Sequence, residues 1–385
     1  MTAPSDPSGG GAPRPLPVLR AMIDALDRDL LQTLARRMAL VAEVAEVKRH
    51  QGLRIRDAER EAAVVQGWLE QAHQLGLPEE DVESMVRLLL RASRDQQASL
   101  RAEIPAHEPP RTVAIIGGHG RMGRRLAQLF ADLGHRVLVA DVDTALRPPE
   151  AAAAADVTVV SVPIAETEAV VHAVGPHVAP HGLLMDVTSL KAAPLQAMLE
   201  ATSASVLGTH PLFGPGVHSL QGQRVAVCRG RGHAWAAWVV RMLEARGLVV
   251  VEASAEAHDR AMALVQVLTH FQTQVMGVAL ARLGMPLADT LPLTSPAYLL
   301  ELYVTARHFG QDPALYGPLE MGNPRTPEVT AAFQGAAREV ADVLACGDQA
   351  RFAALFEEVR RYFGAFTAEA TVQSGVLIDR LVERR

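Results

Sequence analysis

Lysine is almost missing from this 385-residue chain: of 37 Lys and Arg residues, only Lys48 and Lys191 are lysine. Arginine is a broad planar fork and lysine a compact ammonium on a flexible stem, so a tight pocket for one positive charge does not accept the exchange. On their own, two lysines surviving by chance explain the pattern as well as two functional ones. Cysteine is scarce too. Cys228 and Cys346 stand in no metal-ligand or CxxC spacing, which points to a reduced, cytoplasmic protein. Aromatics make up 4% of residues, so the cores must be mostly Leu, Val and Ala. No apolar run reaches the ~20 residues needed to span a bilayer. Residues 1–17, MTAPSDPSGGGAPRPLP, lack the apolar core of a signal peptide and read as a disordered leader. Positive charge is not in excess either: the net charge of −6 gives no reason to expect a nucleic-acid partner.

What is present divides into three textures. Residues 18–100 are helical in pattern, with Leu19, Ile23, Leu26, Leu30, Leu34, Met38, Val41 and Val44 recurring every three or four positions. No Gly or Pro interrupts Val18 to Gln51, so the first helix can run roughly 48 Å. Such a helix has an apolar stripe and little in its own domain to cover it, which suggests a dimer. Asp57 suits the N-cap of a second helix, and a third follows LGLPEED. The prolines and charges of residues 101–111 mark a linker. Residues 112–254 alternate short β-branched runs with helical stretches, the pattern of an α/β domain with a largely parallel sheet. The runs are TVAIIGG, RVLVAD, DVTVVSVP, GLLMDVTS, SVLGTHP, RVAVCRG and GLVVVEAS. Strand signals stop at residue 255, and residues 255–385 read as all-helical.

The first α/β turn holds Gly118-x-Gly120-x-x-Gly123 between a strand and a helix. Glycines there let backbone amides and a helix N-terminus approach a pyrophosphate closely. Asp141 closes the next strand, where an acid binds a ribose 2′-hydroxyl and repels a 2′-phosphate. The cofactor expected is NAD. Further on, DVTSLK supplies Asp186, Ser189 and Lys191, and GTHPLFGP sets His210 just after a strand. Histidine is the natural proton acceptor for oxidation of an alcohol at neutral pH. A structural role for one of fourteen histidines is the competing reading. His270 and Arg307 interrupt apolar stretches of the last domain, and an arginine there could grip a carboxylate or simply be solvated.

In the first domain Arg37 and Lys48 lie about three turns apart on one helix face. Asp57, Arg60 and Glu61 share a face of the next helix, and Ser93 and Gln97 a face of the third. Arg20 falls off the Arg37/Lys48 face and suits a partner's site better. Each charge alone reads as a solvated helix face; their convergence suggests a pocket for a small dianion.

With these segments in view, residues 18–385 resemble the bifunctional chorismate mutase/prephenate dehydrogenases of tyrosine biosynthesis. LRAMIDALDRDLLQTLARRMALVAEVAEVK and IRDAERE are similar to the mutase half. DVTSLK, GTHPLFGP, THF and ARHFGQDPALY are similar to the dehydrogenase half. The resemblance implies a three-helix mutase domain, a Rossmann-type NAD domain and a helical dimerisation and substrate domain. It implies that Arg37, Lys48, Arg60 and a partner's Arg20 bind chorismate, with Asp57, Glu61, Ser93 and Gln97 completing the site. It implies His210 as the catalytic group, Arg307 on the substrate carboxylate, and Ser189, Lys191 and His270 nearby. Tyrosine becomes a candidate feedback inhibitor. One departure stands out: Leu299, in SPAYLLEL, replaces an arginine of the relatives.

The chemistry so implied begins with a pericyclic rearrangement, in which the protein can only hold the reactive chair and stabilise charge on the breaking ether oxygen. Lys48 and Gln97 would meet that oxygen. An oxidative decarboxylation follows, with His210 taking the ring hydroxyl's proton. Two rivals remain: a prephenate or arogenate dehydrogenase whose helical domain is a regulatory or dimerisation module, and an NAD-sensing protein without turnover.

Overall fold

The computed structural model describes residues 14–51, 55, 57–99, 108–217 and 219–383. Most of the expected leader and residues 101–107 of the expected linker lie outside them. Three helices come first: α1 (Leu16–Gln51), α2 (Ala58–Leu75) and α3 (Glu79–Ser99). Helix α1 starts two residues earlier than its unbroken run of helix formers predicts, because Pro17 is tolerated in a first turn, where its missing N–H has no partner to lose. Asp57 caps α2, its carboxylate accepting from the Arg60 amide at 2.9 Å. Gly76 ends α2 in the left-handed conformation at φ 65°. Helix α3 packs against both α1 and α2. Yet Leu19, Met22, Ile23, Leu26, Leu30 and Leu31 of α1 stay exposed.

All seven anticipated strands form, and they make one sheet. In chain order the α/β elements are β1 (Thr112–Ile116), α4 (Arg121–Asp132), β2 (Arg136–Ala140), α5 (Pro148–Ala153), β3 (Val157–Val160), α6 (Thr167–Val174), β4 (Leu183–Asp186), α7 (Ala192–Ala201), β5 (Ser205–Pro211), β6 (Arg224–Arg231), α8 (His233–Ala245) and β7 (Val249–Glu252). The sheet order is β2-β1-β3-β4-β5-β6-β7. Every neighbouring pair is parallel except β5 and β6. No helix separates those two, and only a crossover lets consecutive strands run the same way. Alternate residues of β1 serve the two faces. Val113 and Ile115 join Leu129, Phe130 and Trp238 in one core, while Ala114 and Ile116 join Val160, Val171 and Met198 in the other. The strand ends at β1/β3, where chain direction across the sheet reverses, open the crevice in which such sheets bind ligands.

The rest is helical: α9 (Ala255–Met262), a π-helical turn (Ala263–Leu268), α10 (Thr269–Leu283), α11 (Leu287–Thr290), α12 (Pro296–Phe309), α13 (Pro313–Gly322), α14 (Thr326–Cys346), α15 (Gln349–Phe363) and α16 (Phe366–Glu383). Few of its side chains are buried. Leu299 is one of them, as are Leu319, Val329 and Val343. The departure at Leu299 is thus a buried apolar side chain. Among the described residues, no helix is long and apolar enough to cross a membrane.

Candidate active sites

The glycine loop is shaped by contacts only glycine permits. Gly117 takes φ 81°, and a Cβ on Gly123 would lie 2.2 Å from the Gly117 carbonyl oxygen. A Cβ on Gly118 would lie 2.6 Å from Val139 Cγ1. Gly120 begins α4 without a side-chain cap, so the helix amides remain available to an anion. Asp141 stands beside them: the His119 amide donates to its Oδ2 at 2.9 Å and the Val142 amide to its Oδ1 at 2.8 Å. A cradle for a pyrophosphate and an acid for a ribose therefore adjoin, which fits NAD.

Across the sheet, β5 runs one residue past His210, so the histidine lies within the strand, paired with Ala226, rather than just after it, and is 3% exposed. Its Nδ1 is 2.9 Å from His258 Nε2, and His258 Nδ1 is 2.8 Å from Asp259 Oδ1. Asp259 is itself held by the amides of Lys191 at 2.8 Å and Ala192 at 2.9 Å, so it also caps α7. Burial, then the Lys191 ammonium and His258, hold His210 well below the usual imidazole range. Asp259 is held low by its hydrogen bonds from His258 and the two amides, which outweigh its burial. On the far side of His210, the π-helical turn brings Gln266 Nε2 to 3.4 Å from His210 Nε2. The Gln266 side-chain oxygen, Oε1, is buried and has no partner among the described residues. Such π turns often mark functional positions.

Lys191 is close by but fully enclosed. Its ammonium bonds the Asp186 carboxylate and donates to the Thr209 carbonyl at 2.7 Å. Ser189 lies half-buried in the loop after β4. About one turn beyond Gln266, His270 faces Glu320 at 3.4 Å and stacks edge-on against Tyr316, with ring centroids 4.9 Å apart. Gln274, His308, Tyr316 and Glu320 line a cavity of about 520 Å³. Burial, reinforced by His270, lowers His308. Burial raises the Tyr316 phenol, against the opposing charges of Arg307 and Arg121. Arg307 is exposed in the last turn of α12, and Arg121 opens α4, so both cations act on this corner.

The helical domain forms a second polar cluster. Arg37 donates to Ser93 Oγ at 2.6 Å, and Ser93 in turn donates to the Leu89 carbonyl. Gln97 is buried one turn further along α3, its side-chain oxygen Oε1 unpartnered among the described residues. Lys48 donates to the Ile55 carbonyl at 2.6 Å. Glu61 pairs with Arg94 at 2.7 Å. Arg20 and Arg60 are exposed.

Three family models cover most of the chain: chorismate mutase type II at residues 19–98, the prephenate dehydrogenase nucleotide-binding domain at 130–252 and its dimerization domain at 254–358. The T-protein of Enterobacter agglomerans is 35% identical over 94% of this chain and 97% of its own length. The Haemophilus influenzae T-protein is 32% identical over 94% of this chain and 96% of its own. The chain belongs to the bifunctional chorismate mutase/prephenate dehydrogenase family. The fold agrees with that membership. A prephenate dehydrogenase from A. aeolicus, solved with hydroxyphenyl propionate and NAD+, superposes with a TM-score of 0.55 at 17% identity, covering 66% of this chain and 98% of that one.

Several residues of these clusters carried no sequence signal. His258 and Asp259 sit in an ordinary-looking helix 48 positions after His210. Gln266 needs a π turn that no pattern announces. Arg94 reads as one more solvated arginine until α2 brings Glu61 to it.

Proposed function

We propose that this enzyme converts chorismate to prephenate in α1–α3, and prephenate to 4-hydroxyphenylpyruvate and carbon dioxide in the two following domains. Arg37 and Ser93 from different helices support a chorismate site at the α1–α3 face. Lys48 and the buried Gln97 amide are the donors for the ether oxygen, with Arg60, Asp57 and Glu61 at its rim. The exposed stripe of α1 and the apolar groove between α14, α15 and α16 favour a homodimer, in which Arg20 serves the partner's mutase site. The three domains fall at residues 18–100, 112–254 and 255–385, and the cytoplasm suits a chain with two unpaired cysteines.

In the dehydrogenase, Gly118, Gly120, Gly123 and Asp141 hold NAD. When bound, NAD supplies the oxidant for the ring carbon that bears the hydroxyl. His210 accepts the hydroxyl proton at Nε2, and Gln266 contacts the same oxygen. Arg307 holds a substrate carboxylate, with His270 and Ser189 beside the ring. Lys191 touches no substrate: it has no exposed surface, and it acts by fixing the strand end that bears His210. Tyrosine shares a 4-hydroxyphenyl ring with the product and is the natural candidate inhibitor of this site.

The observation that carries the reading is His210, buried and held neutral, in the same sheet as a glycine-loop cofactor site. The test gives purified protein chorismate alone, then NAD. Chorismate loss followed by NADH formation is expected. Chorismate untouched, with added prephenate still yielding NADH, would reduce α1–α3 to a regulatory module.

A further inference from the structure

The hydrogen-bond chain behind His210 fixes where every proton sits. Asp259 is a carboxylate and can only accept. His258 Nδ1 must therefore carry the proton that points at it. In neutral His258 the other nitrogen, Nε2, is then a lone pair, and it can only accept from His210 Nδ1–H. That leaves His210 Nε2 bare, on the side of Gln266. The tautomer of the base thus follows from a chain anchored on the α7 N-terminus.

The balance of the reaction adds a second constraint. Two carboxylates and one cationic nicotinamide go in. One carboxylate, neutral carbon dioxide and a neutral dihydronicotinamide come out, so charge balances with no proton released. The hydroxyl proton leaves as the hydride is lost from the ring carbon. The carbon–carboxylate bond then breaks, its electron pair makes the ring aromatic, and the resulting phenolate oxygen takes a proton back. A base for this sequence needs a store rather than an exit. His210, His258 and Asp259 are 3%, 3% and 5% exposed, so no water path is required.

Resting on the dehydrogenase reading above, we propose that His258 is a positioning residue that fixes His210 as the Nδ1–H tautomer and stores the substrate's proton until the phenolate reclaims it. Proton arrival at His210 Nε2 moves the Nδ1 proton onto His258 Nε2, and the imidazolium then rests against Asp259. His210 itself is a poor resting place. The Lys191 ammonium faces it, compensated by Asp186, and Cys228 from β6 stays a neutral thiol, pushed up to about 11 chiefly by burial. From the π turn it meets only the uncharged Gln266. The carboxylate that stabilises a positive charge lies one histidine away.

His258→Gln separates the two roles. Its amide oxygen can still accept from His210 Nδ1–H, but it cannot hold a proton. The dehydrogenase kcat should fall about 10²-fold, the usual worth of a positioned acid–base group. KM for prephenate and NAD should hold, as should mutase activity in the same preparation. The acid limb of kcat/KM should move down by about one pH unit, because His210 must then titrate alone in a buried site. A variant that keeps the wild-type kcat, or whose limb does not move, overturns proton storage. The second measurement needs no cofactor and no His258 variant. In 15N-histidine spectra of the unliganded wild-type protein, His210, assigned by its loss in His210→Asn, should show a protonated Nδ1 and a bare Nε2. The opposite tautomer overturns the positioning role. If wild-type protein forms no NADH from prephenate, the functional reading fails instead, and the tautomer result still stands or falls by itself.

Discussion

The Lys191 ammonium rests on the Asp186 carboxylate, and neither side chain retains any solvent-accessible surface. Asp186 also accepts from Thr188 Oγ1 at 2.5 Å, and the second donor contact of Lys191 is the Thr209 carbonyl, one residue before His210. Removing one partner of such a pair leaves a buried, uncompensated charge. Lys191→Met should destabilise the dehydrogenase part by about 3–5 kcal/mol, read by denaturant unfolding. Lys191→Arg should also destabilise it, because the ammonium has no exposed surface and a guanidinium fork is broader than the single point charge held by Asp186 and the Thr209 carbonyl. Retention of wild-type stability in both variants would show the enclosure to be loose.

Stability should fall below neutral pH. Burial first, then neighbouring positive charge, lowers His210, and burial and His270 lower His308. In the unfolded chain an imidazole protonates near pH 6.5. Between that value and the folded one the unfolded state binds more protons, so stability rises with pH. This contribution is full above the unfolded value and is lost as the pH falls from there towards the folded values. Melting temperature should be level above about pH 7 and decline below about pH 6.5, with a shallower decline in His210→Asn. A level profile through the acid range would contradict the buried neutral histidine.

Asp141 should decide between dinucleotides. Its carboxylate is held by two amides at the end of β2, where a 2′-phosphate would meet a fixed negative charge. Asp141→Asn should raise KM for NAD by roughly 10-fold, the worth of a charged hydrogen bond. Measurable turnover with NADP should appear, and kinetics with the two cofactors settle it.

Lys48→Ala should lower chorismate mutase kcat by about 10²–10³-fold, the scale for loss of one donor to a developing anion. Lys48→Arg should not restore it, since a planar guanidinium cannot take the place of the compact ammonium that donates to the Ile55 carbonyl at 2.6 Å. Dehydrogenase activity of both variants should match wild type when prephenate is supplied.

The two thiols should differ in reactivity. Cys346 is exposed at the end of α14, whereas Cys228 is buried in β6 with its thiol pushed up to about 11. A thiol reagent should modify one cysteine per native chain rapidly and the second only on unfolding.

The glycine loop and the seven strands were legible because their determinants are contiguous: a spacing of three glycines, and runs of β-branched residues bounded by turns. The Asp57 cap was legible for the same reason. Lys191 was legible as unusual but not in its role, because its partner Asp186 and the Thr209 carbonyl meet it only through the β4–β5 pairing. His258 and Asp259 were silent, since nothing local distinguishes a histidine aimed at another histidine from one aimed at water. Position in α9 and the docking of that helix on the α7 N-terminus supply the difference. The antiparallel turn of β6 has no local signal either, because strand direction depends on what connects two runs rather than on the runs themselves.

Arg246, at the end of α8, reaches in two directions: to Asp132 at the end of α4 at 2.9 Å, and to the Ala98 carbonyl in the last turn of α3 at 3.3 Å. Ala98 follows Gln97 directly, and burial holds this guanidinium below its usual range. The seam between the two enzymes is therefore not the peptide linker alone. Severing the chain after residue 99 would strip a half-hidden cation of an acceptor while freeing the final turn of the mutase helix to fray. Each liberated half would carry a scar at this spot, and anyone dividing the protein into separate catalysts should expect to repair Arg246 as well as the cut.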